Sequence, residues 1–279
     1  MRKVNADLHN HLKTGSDMSN IGFNQVVDLA KERLGAGGIL GIVNFADRRY
    51  EQFVDKRGYE RQDFGNGFYV PGRDILVVKG EEVSTKQGHL LVLGVRKNEH
   101  FVHGKPLEET IRDARQMKGI VIADHPFTYI GIGKQLQKVH DIEGVISYPD
   151  LLGKLDAIEV HNGEAALLPP NPNKKAQEYY RRMKHLAIRL GALSVSDGHS
   201  LREMGMSYTA LDMPDRYEIT SPHLLVDNLR EAIQEHRDFS GKMANARLMA
   251  LIHLITVAGY ISGFKARRVV QLLARKFKK

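Results

Sequence analysis

The chain has 279 residues, 42% of them hydrophobic and 27% charged, a composition that suits a globular protein with a substantial core. It contains no cysteine, which excludes disulfides, thiolate metal sites and a cysteine nucleophile, so any metal must be held by His, Asp or Glu. The net charge of +8 is unevenly placed: residues 240–279 carry nine Lys or Arg and no acid, leaving 32 basic and 33 acidic side chains in residues 1–239.

From Met1 the chain runs into a strand pattern over 4–8, with Asn5 and Asp7 where a leader would be apolar, so a cytoplasmic protein without a signal peptide is expected. That strand ends in Asp7-Leu8-His9-Asn10-His11. Two histidines at i and i+2 on extended backbone face the same side and can reach one ion, although an ordinary surface pair reads the same way. Residues 24–34 have helical spacing, through Val26, Val27, Leu29, Ala30 and Leu34. A strand over 38–45 follows, then a polar, glycine-rich stretch over 50–73 that reads as a surface excursion and a lid over the site.

The strand over 75–83 ends in Glu81-Glu82-Val83-Ser84, and Gly88-His89 opens the next, over 89–95. A carboxylate there needs a reason, either a function or a Lys or Arg partner, because burying it alone is costly. After a helix over 107–117, the strand over 119–123 runs into Asp124-His125-Pro126, and a second irregular stretch covers 128–148. The strand over 157–160 continues into His161-Asn162, and Pro170-Asn171-Pro172-Asn173 opens a helix over 174–190. The last strand, 192–196, ends in Ser196-Asp197-Gly198-His199-Ser200. From about 221 the pattern is helical, over 224–236 and 245–279.

Buried strands alternating with helices imply a mostly parallel sheet with helices outside, and seven strands suffice to close a barrel. At least five strands finish in His, Asp or Glu, and in a barrel those ends converge on one face. Imidazole and carboxylate donors suit Zn²⁺, Mn²⁺ or Fe²⁺.

The order of these pieces over residues 4–200 resembles the PHP (polymerase and histidinol phosphatase) superfamily. Asp-Leu-His-Asn-His looks like its first motif, and Thr14-Gly15-Ser16-Asp17 like the Ser-Asp-Gly after it. Gly80 to Thr85 leading to Gly88-His89, Ala123-Asp124-His125-Pro126, Ile158 to Asn162, and Ser196-Asp197-Gly198-His199 look like the later ones. The resemblance implies a distorted (β/α)7 TIM-like barrel over 1–239, with 240–279 as a basic helical C-terminal extension. It also implies a phosphoesterase with two or three divalent ions. Carried over by position, His9, His11, Glu82 and Asp197 would hold the first ion. Glu82 would bridge to a second, completed by His89 and His125, and Asp17 and His199 would belong to a third. Glu82 is favoured over Glu81, which stays open.

One departure matters. The second family motif puts a ligating histidine where this chain has Phe45, in Asn44-Phe45-Ala46-Asp47, so two firm metals are expected unless Asp47 rescues the third. Adjacent ions would activate water and neutralise phosphate charge. Lys13, Arg48 or Arg49 could bind remaining phosphate oxygens, or be plain surface charge, and His199 or His161 could protonate the leaving oxygen. The expected substrate is a phosphomonoester of a small metabolite or nucleotide. The alternatives are a nuclease on single-stranded nucleic acid, a catalytically decayed metal-binding scaffold and an amidohydrolase. For the basic extension three readings stand: a helical pair packed on the barrel or on a second subunit of a homo-oligomer, an interfacial helix on an anionic membrane, and a nucleic-acid contact.

Overall fold

The computed structural model describes residues 1–12, 21–137, 140–142, 145–147, 151–165, 171–186, 189–214 and 221–245, with 248, 249, 251, 252 and 255 beyond. Lys13, Asp17 and most of the predicted C-terminal helices lie outside the described residues.

In chain order the elements are β1 (Arg2–Asp7), α1 (Phe23–Leu34), β2 (Ile39–Asn44), α2 (Arg49–Val54), β3 (Gln62–Asp63), β4 (Gly67–Val70), β5 (Ile75–Thr85) and β6 (Gly88–Leu93). Then come α3 (Leu107–Gln116), β7 (Ile120–Ala123), α4 (Gly133–Leu136), the ribbon of β8 (His140–Ile142) and β9 (Val145–Ser147), β10 (Ala157–Asn162) and α5 (Pro172–Met183). The last are β11 (Gly191–Val195), β12 (Tyr208–Met213), α6 (Pro222–Glu235) and β13 (Gly241–Lys242).

The main sheet runs β11-β10-β7-β6-β5-β2-β1-β12-β13. β1, β2 and β5 pair in parallel, as do β7, β10 and β11, while β6 runs antiparallel between β5 and β7. The reversal has a consequence for the site: it brings the start of β6 to the same end as the finish of β5, with His89 opposite Ser84.

The sheet curls so that β11 meets β1 and β12 in two ways. Beyond β1 and β11, Asn10 and Gly198 form a parallel bridge, and His11 N and Leu12 N donate to Gly198 O at 2.8 and 3.2 Å. Further down, β12 lies antiparallel along β1 and the seam is made by hydroxyls, which can donate and accept at once. Thr209 Oγ1 accepts from Ser194 N at 2.7 Å and donates to Ser194 O at 3.0 Å, and Ser196 Oγ does the same for Ser207 at 2.9 and 3.1 Å. The result is the expected distorted, nearly closed TIM-like barrel.

Its interior is filled by Val4, Leu8, Ile39, Val43, Leu76, Val78, Leu91, Leu93, Ile120 and Leu193, with Leu225, Leu229 and Ile233 of α6 against them. Each such side chain, fully buried, contributes about 1.5–3 kcal/mol. α6 covers the end away from the site, where His236 O accepts from Ala192 N at 2.9 Å. On the outside, α1 turns Phe23, Val26, Val27, Ala30 and Leu34 inward at helical spacing and stops at Gly35, whose φ of 81° suits glycine. α5 opens on Pro172, capped by the Asn171 side chain, and ends at Met183, short of the 190 expected.

The stretch 50–73 is no lid. It holds α2 and a hairpin whose β4 pairs with β5, and Tyr50, Phe53 and Phe68 are buried beside Phe23, with ring centroids 5.1 Å (Phe53) and 5.4 Å (Phe68) from it. Its glycines and surface charges hide the buried alternation. β12 was also unforeseen. The described start of the extension is joined to the barrel, since β13 pairs with β12 and Met249 is buried. No helix among the described residues is long and apolar enough to cross a membrane.

Candidate metal centre

At the strand ends of the barrel, side chains far apart in sequence meet in one pocket of about 170 Å³. Its lining includes His11, Glu82, His89, His125, Asp197 and His199, with Phe45, Arg49, Ile130 and Glu164.

Glu82, near the end of β5, is the centre of the group. Its Oε2 lies 2.9 Å from His11 Nε2, while its Oε1 lies 3.1 Å from His125 Nε2 and contacts His89 Nδ1. On the Oε2 side, His9 Nε2 is 3.1 Å from His11 Nε2, and Asp197 Oδ1 is 3.5 Å from both. On the Oε1 side, Asp124 Oδ2 is 3.5 Å from His125 Nε2. A further group joins His11, Asp197 and His199, and His199 Nδ1 lies 3.0 Å from Asp197 O and 3.5 Å from Glu164 Oε2.

These spacings fit divalent cations. Bonds of about 2.0–2.1 Å from N or O to a tetrahedral ion hold the donors roughly 3.3 Å apart. The buried oxygens argue in the same direction. Asp197 Oδ1 and both Asp124 oxygens have no hydrogen-bond partner, an arrangement that costs free energy unless a cation compensates it.

The donors are held from behind. Glu159 Oε1 accepts from His9 Nδ1 at 2.8 Å, turning Nε2 to the pocket. Glu159 Oε2 accepts from His125 N at 2.7 Å and from Asn162 Nδ2 at 2.9 Å, and Asn162 Nδ2 also reaches Asp197 Oδ2 at 3.0 Å. Of the described non-glycine residues with positive φ, four adjoin or belong to the site: Leu12 (44°), Ala46 (51°), His125 (26°) and Asp197 (52°). Such backbone costs of order 1–3 kcal/mol per residue and clusters where a function maintains it.

Burial and charge set the protonation states. Burial would raise the Glu82 carboxyl, but the imidazoles of His11, His125 and His89 hold it well below its ordinary value. Burial likewise opposes the shift at Asp197, which His9 and His199 bring down to about 2. For His9, burial is outweighed by Asp197 and Glu159, and its pKa stands well above the usual value. For His125, burial is outweighed by Asp124 and Glu82, which push it to about 10. Burial takes His11 down to about 4 and lifts Asp124 well above the carboxylate range.

Of the residues singled out in the sequence, His9, His11, Glu82, His89, His125, Asp197 and His199 are brought together, and Asp17 lies outside the described residues. Glu81 turns the other way, accepting from Phe101 N at 2.8 Å. His161 is a correction. β10 bulges between Glu159 and His161, so the ring that simple alternation would send inward sits beside Asn173 of α5, 3.4 Å away. Burial lowers its pKa to about 4, leaving a neutral imidazole outside the pocket lining. Glu159, Asn162, Asp124 and Glu164 join the site without standing among the residues singled out in the sequence. The first three stood inside motifs already quoted, and alternation in β10 marks Glu159 as inward-facing.

A distorted β/α barrel with His, Asp and Glu donors at its strand ends is the arrangement the PHP resemblance leads one to expect. No family model and no curated protein sequence matches the chain. Among solved structures it is similar to PsfC from Pseudomonas syringae PB-5123, at 17% identity and a TM-score of 0.57, over 94% of this chain and 99% of that one. It is also similar to Endonuclease Q bound to a 27-mer duplex with an abasic lesion, at 15% identity and a TM-score of 0.51, over 87% of this chain and 58% of that one. The lesion-specific endonuclease PfuEndoQ from Pyrococcus furiosus gives 15% identity and a TM-score of 0.51, over 86% and 57%. The chain thus spans less than two thirds of the endonucleases it matches, and at these identities the likeness is one of fold.

Proposed function

We propose that the chain is a metal-dependent phosphoester hydrolase of the PHP type, acting on a phosphomonoester of a small metabolite or nucleotide. The observation that carries this reading is the division of Glu82 between two donor groups, Oε2 with His11 and Oε1 with His125 and His89. A carboxylate so placed suits two neighbouring cations. His9, His11, Glu82 and Asp197 would hold one, and Glu82, His89 and His125, with Asp124 beside them, the other. Two such ions would supply activated water and neutralise charge on phosphate oxygens.

The protein's own groups do the rest. Glu159 fixes the His9 tautomer, and Asn162 fixes the Asp197 carboxylate. His199, about one third exposed and beside Glu164, would hand a proton to the leaving oxygen. The small volume of the pocket supports a single phosphoryl group inside, with its ester substituent toward solvent.

A nuclease is the second reading, favoured by the likeness to Endonuclease Q and by the nine basic residues of 240–279. The full chain loaded with Mn²⁺ or Zn²⁺ would be offered p-nitrophenyl phosphate, its bis-ester, single-stranded nucleic acid and a duplex with an abasic site. Release from the monoester alone supports the phosphatase, and cleavage of polymer supports the nuclease. Stoichiometric metal without turnover on any substrate would overturn both in favour of a scaffold.

A further inference from the structure

Phe45 stands on the wall of the pocket where the motif order led to a ligating histidine, its ring centroid 6.2 Å from that of His11 and 5.5 Å from that of His89. Phenyl cannot coordinate a cation. Asp47, the residue that could have rescued a third ion there, is engaged elsewhere: its Oδ2 accepts from Arg49 Nε at 2.6 Å. The guanidinium is fixed again by Nη1, which donates to His11 O at 3.3 Å. Arg49 is buried, its side chain only 8% exposed, yet it lines the pocket.

A buried guanidinium has two reasons to be held this way. It can neutralise Asp47, for which the Nε bond suffices, or it can present its remaining N–H groups to an anion. The second use explains why Arg49 is clamped on two sides beside a cluster of cation-binding donors. We infer that Arg49 binds a non-bridging oxygen of the substrate phosphoryl group, so that a guanidinium held by Asp47 does the work of a third cation on the Phe45 side of the pocket. This inference rests on the proposed phosphoester hydrolase.

An arginine in this role differs from a metal in two respects. It offers fixed, directional N–H donors rather than an open coordination sphere, and it stays charged at every working pH. Asp47 is then a positioning residue that sets the plane of the fork. Lysine in place of Arg49 restores charge without the fork, so it is expected to recover part of the binding only.

The test uses the full chain as wild type, Arg49→Met, Arg49→Lys and Asp47→Asn, each loaded with Mn²⁺. Metal content is measured, and binding of inorganic phosphate is followed by calorimetry. With metal content unchanged, Arg49→Met is expected to weaken phosphate binding roughly ten- to a hundredfold, the loss of a charge-assisted contact. Arg49→Lys should fall between the two, and Asp47→Asn should weaken binding less than Arg49→Met. Phosphate affinity within twofold of wild type in fully loaded Arg49→Met overturns the inference alone. A parallel loss of metal in that variant also overturns it, because Arg49 would then act through His11. A wild-type chain that takes up no metal overturns the proposed function and the inference together.

Discussion

Glu159 accepts a hydrogen bond from His9 Nδ1 at 2.8 Å, between side chains 150 residues apart and wholly buried. A carboxylate can only accept, so the bond keeps a proton on Nδ1 and makes Nε2, beside Asp197 and Glu82, the nitrogen that would bind a cation. Glu159→Gln keeps the volume but can offer His9 an amide N–H as readily as an oxygen. Metal affinity is expected to fall roughly ten- to a hundredfold, with the far-ultraviolet dichroism unchanged. An unaltered Mn²⁺ titration would remove Glu159 from the centre.

His11 and Asp197 serve the same donor group from the two sides of the barrel seam. His11→Ala or Asp197→Ala is expected to abolish turnover. Folding should survive, because each change also relieves a crowd of buried polar atoms. Melting of the metal-free variants should stay within about 5 °C of wild type, on the order of 1–2 kcal/mol. Full activity in either variant would refute the proposed site.

The barrel and most of this centre could be read from the chain because strand alternation and strand-end chemistry are local signals. His9, His11, Glu82, His125 and Asp197 each end or follow an apolar run, and convergence follows from topology. His89 opens a strand, and the resemblance alone named it as a ligand. Its place beside Glu82 depends on the reversal of β6, which no local pattern announces. His161 shows the opposite failure: the alternation was there, and one bulged residue in β10 cancelled it. Arg49 was one of three cations offered to phosphate and Asp47 a candidate ligand of a third ion; only the fold pairs the two and sets Arg49 against the pocket.

Protonation gives a sharper test than mutation. In the metal-free protein His9 is held well above its ordinary pKa and His125 near about 10, so both are imidazolium at neutral pH. His11, at about 4, is already neutral. Ligation requires the neutral ring, so cation binding should release protons near neutral pH. Affinity should therefore rise as pH rises and fall as the solution is acidified. Calorimetry in two buffers of different ionisation enthalpy reads the proton count directly. Binding with no proton released would mean that His9 and His125 are not the ligands.

Away from the centre, Lys79 makes a prediction about stability. Its ammonium is fully buried and donates to Arg96 O at 2.9 Å, Lys97 O at 3.0 Å and Glu99 O at 2.6 Å, while lying 3.2 Å from Glu51 Oε1. Burial pulls its pKa down and the Glu51 carboxylate works against that. Lys79→Met removes the cation but leaves Glu51 and three carbonyls facing apolar surface, an outcome that typically costs about 3–5 kcal/mol. Glu51→Gln in the same chain should return part of that loss, because the stranded charge goes with it. Urea unfolding of the two single variants and the double variant measures the coupling. Additive losses would show that the pair does not interact and that Lys79 serves the 96–99 turn alone.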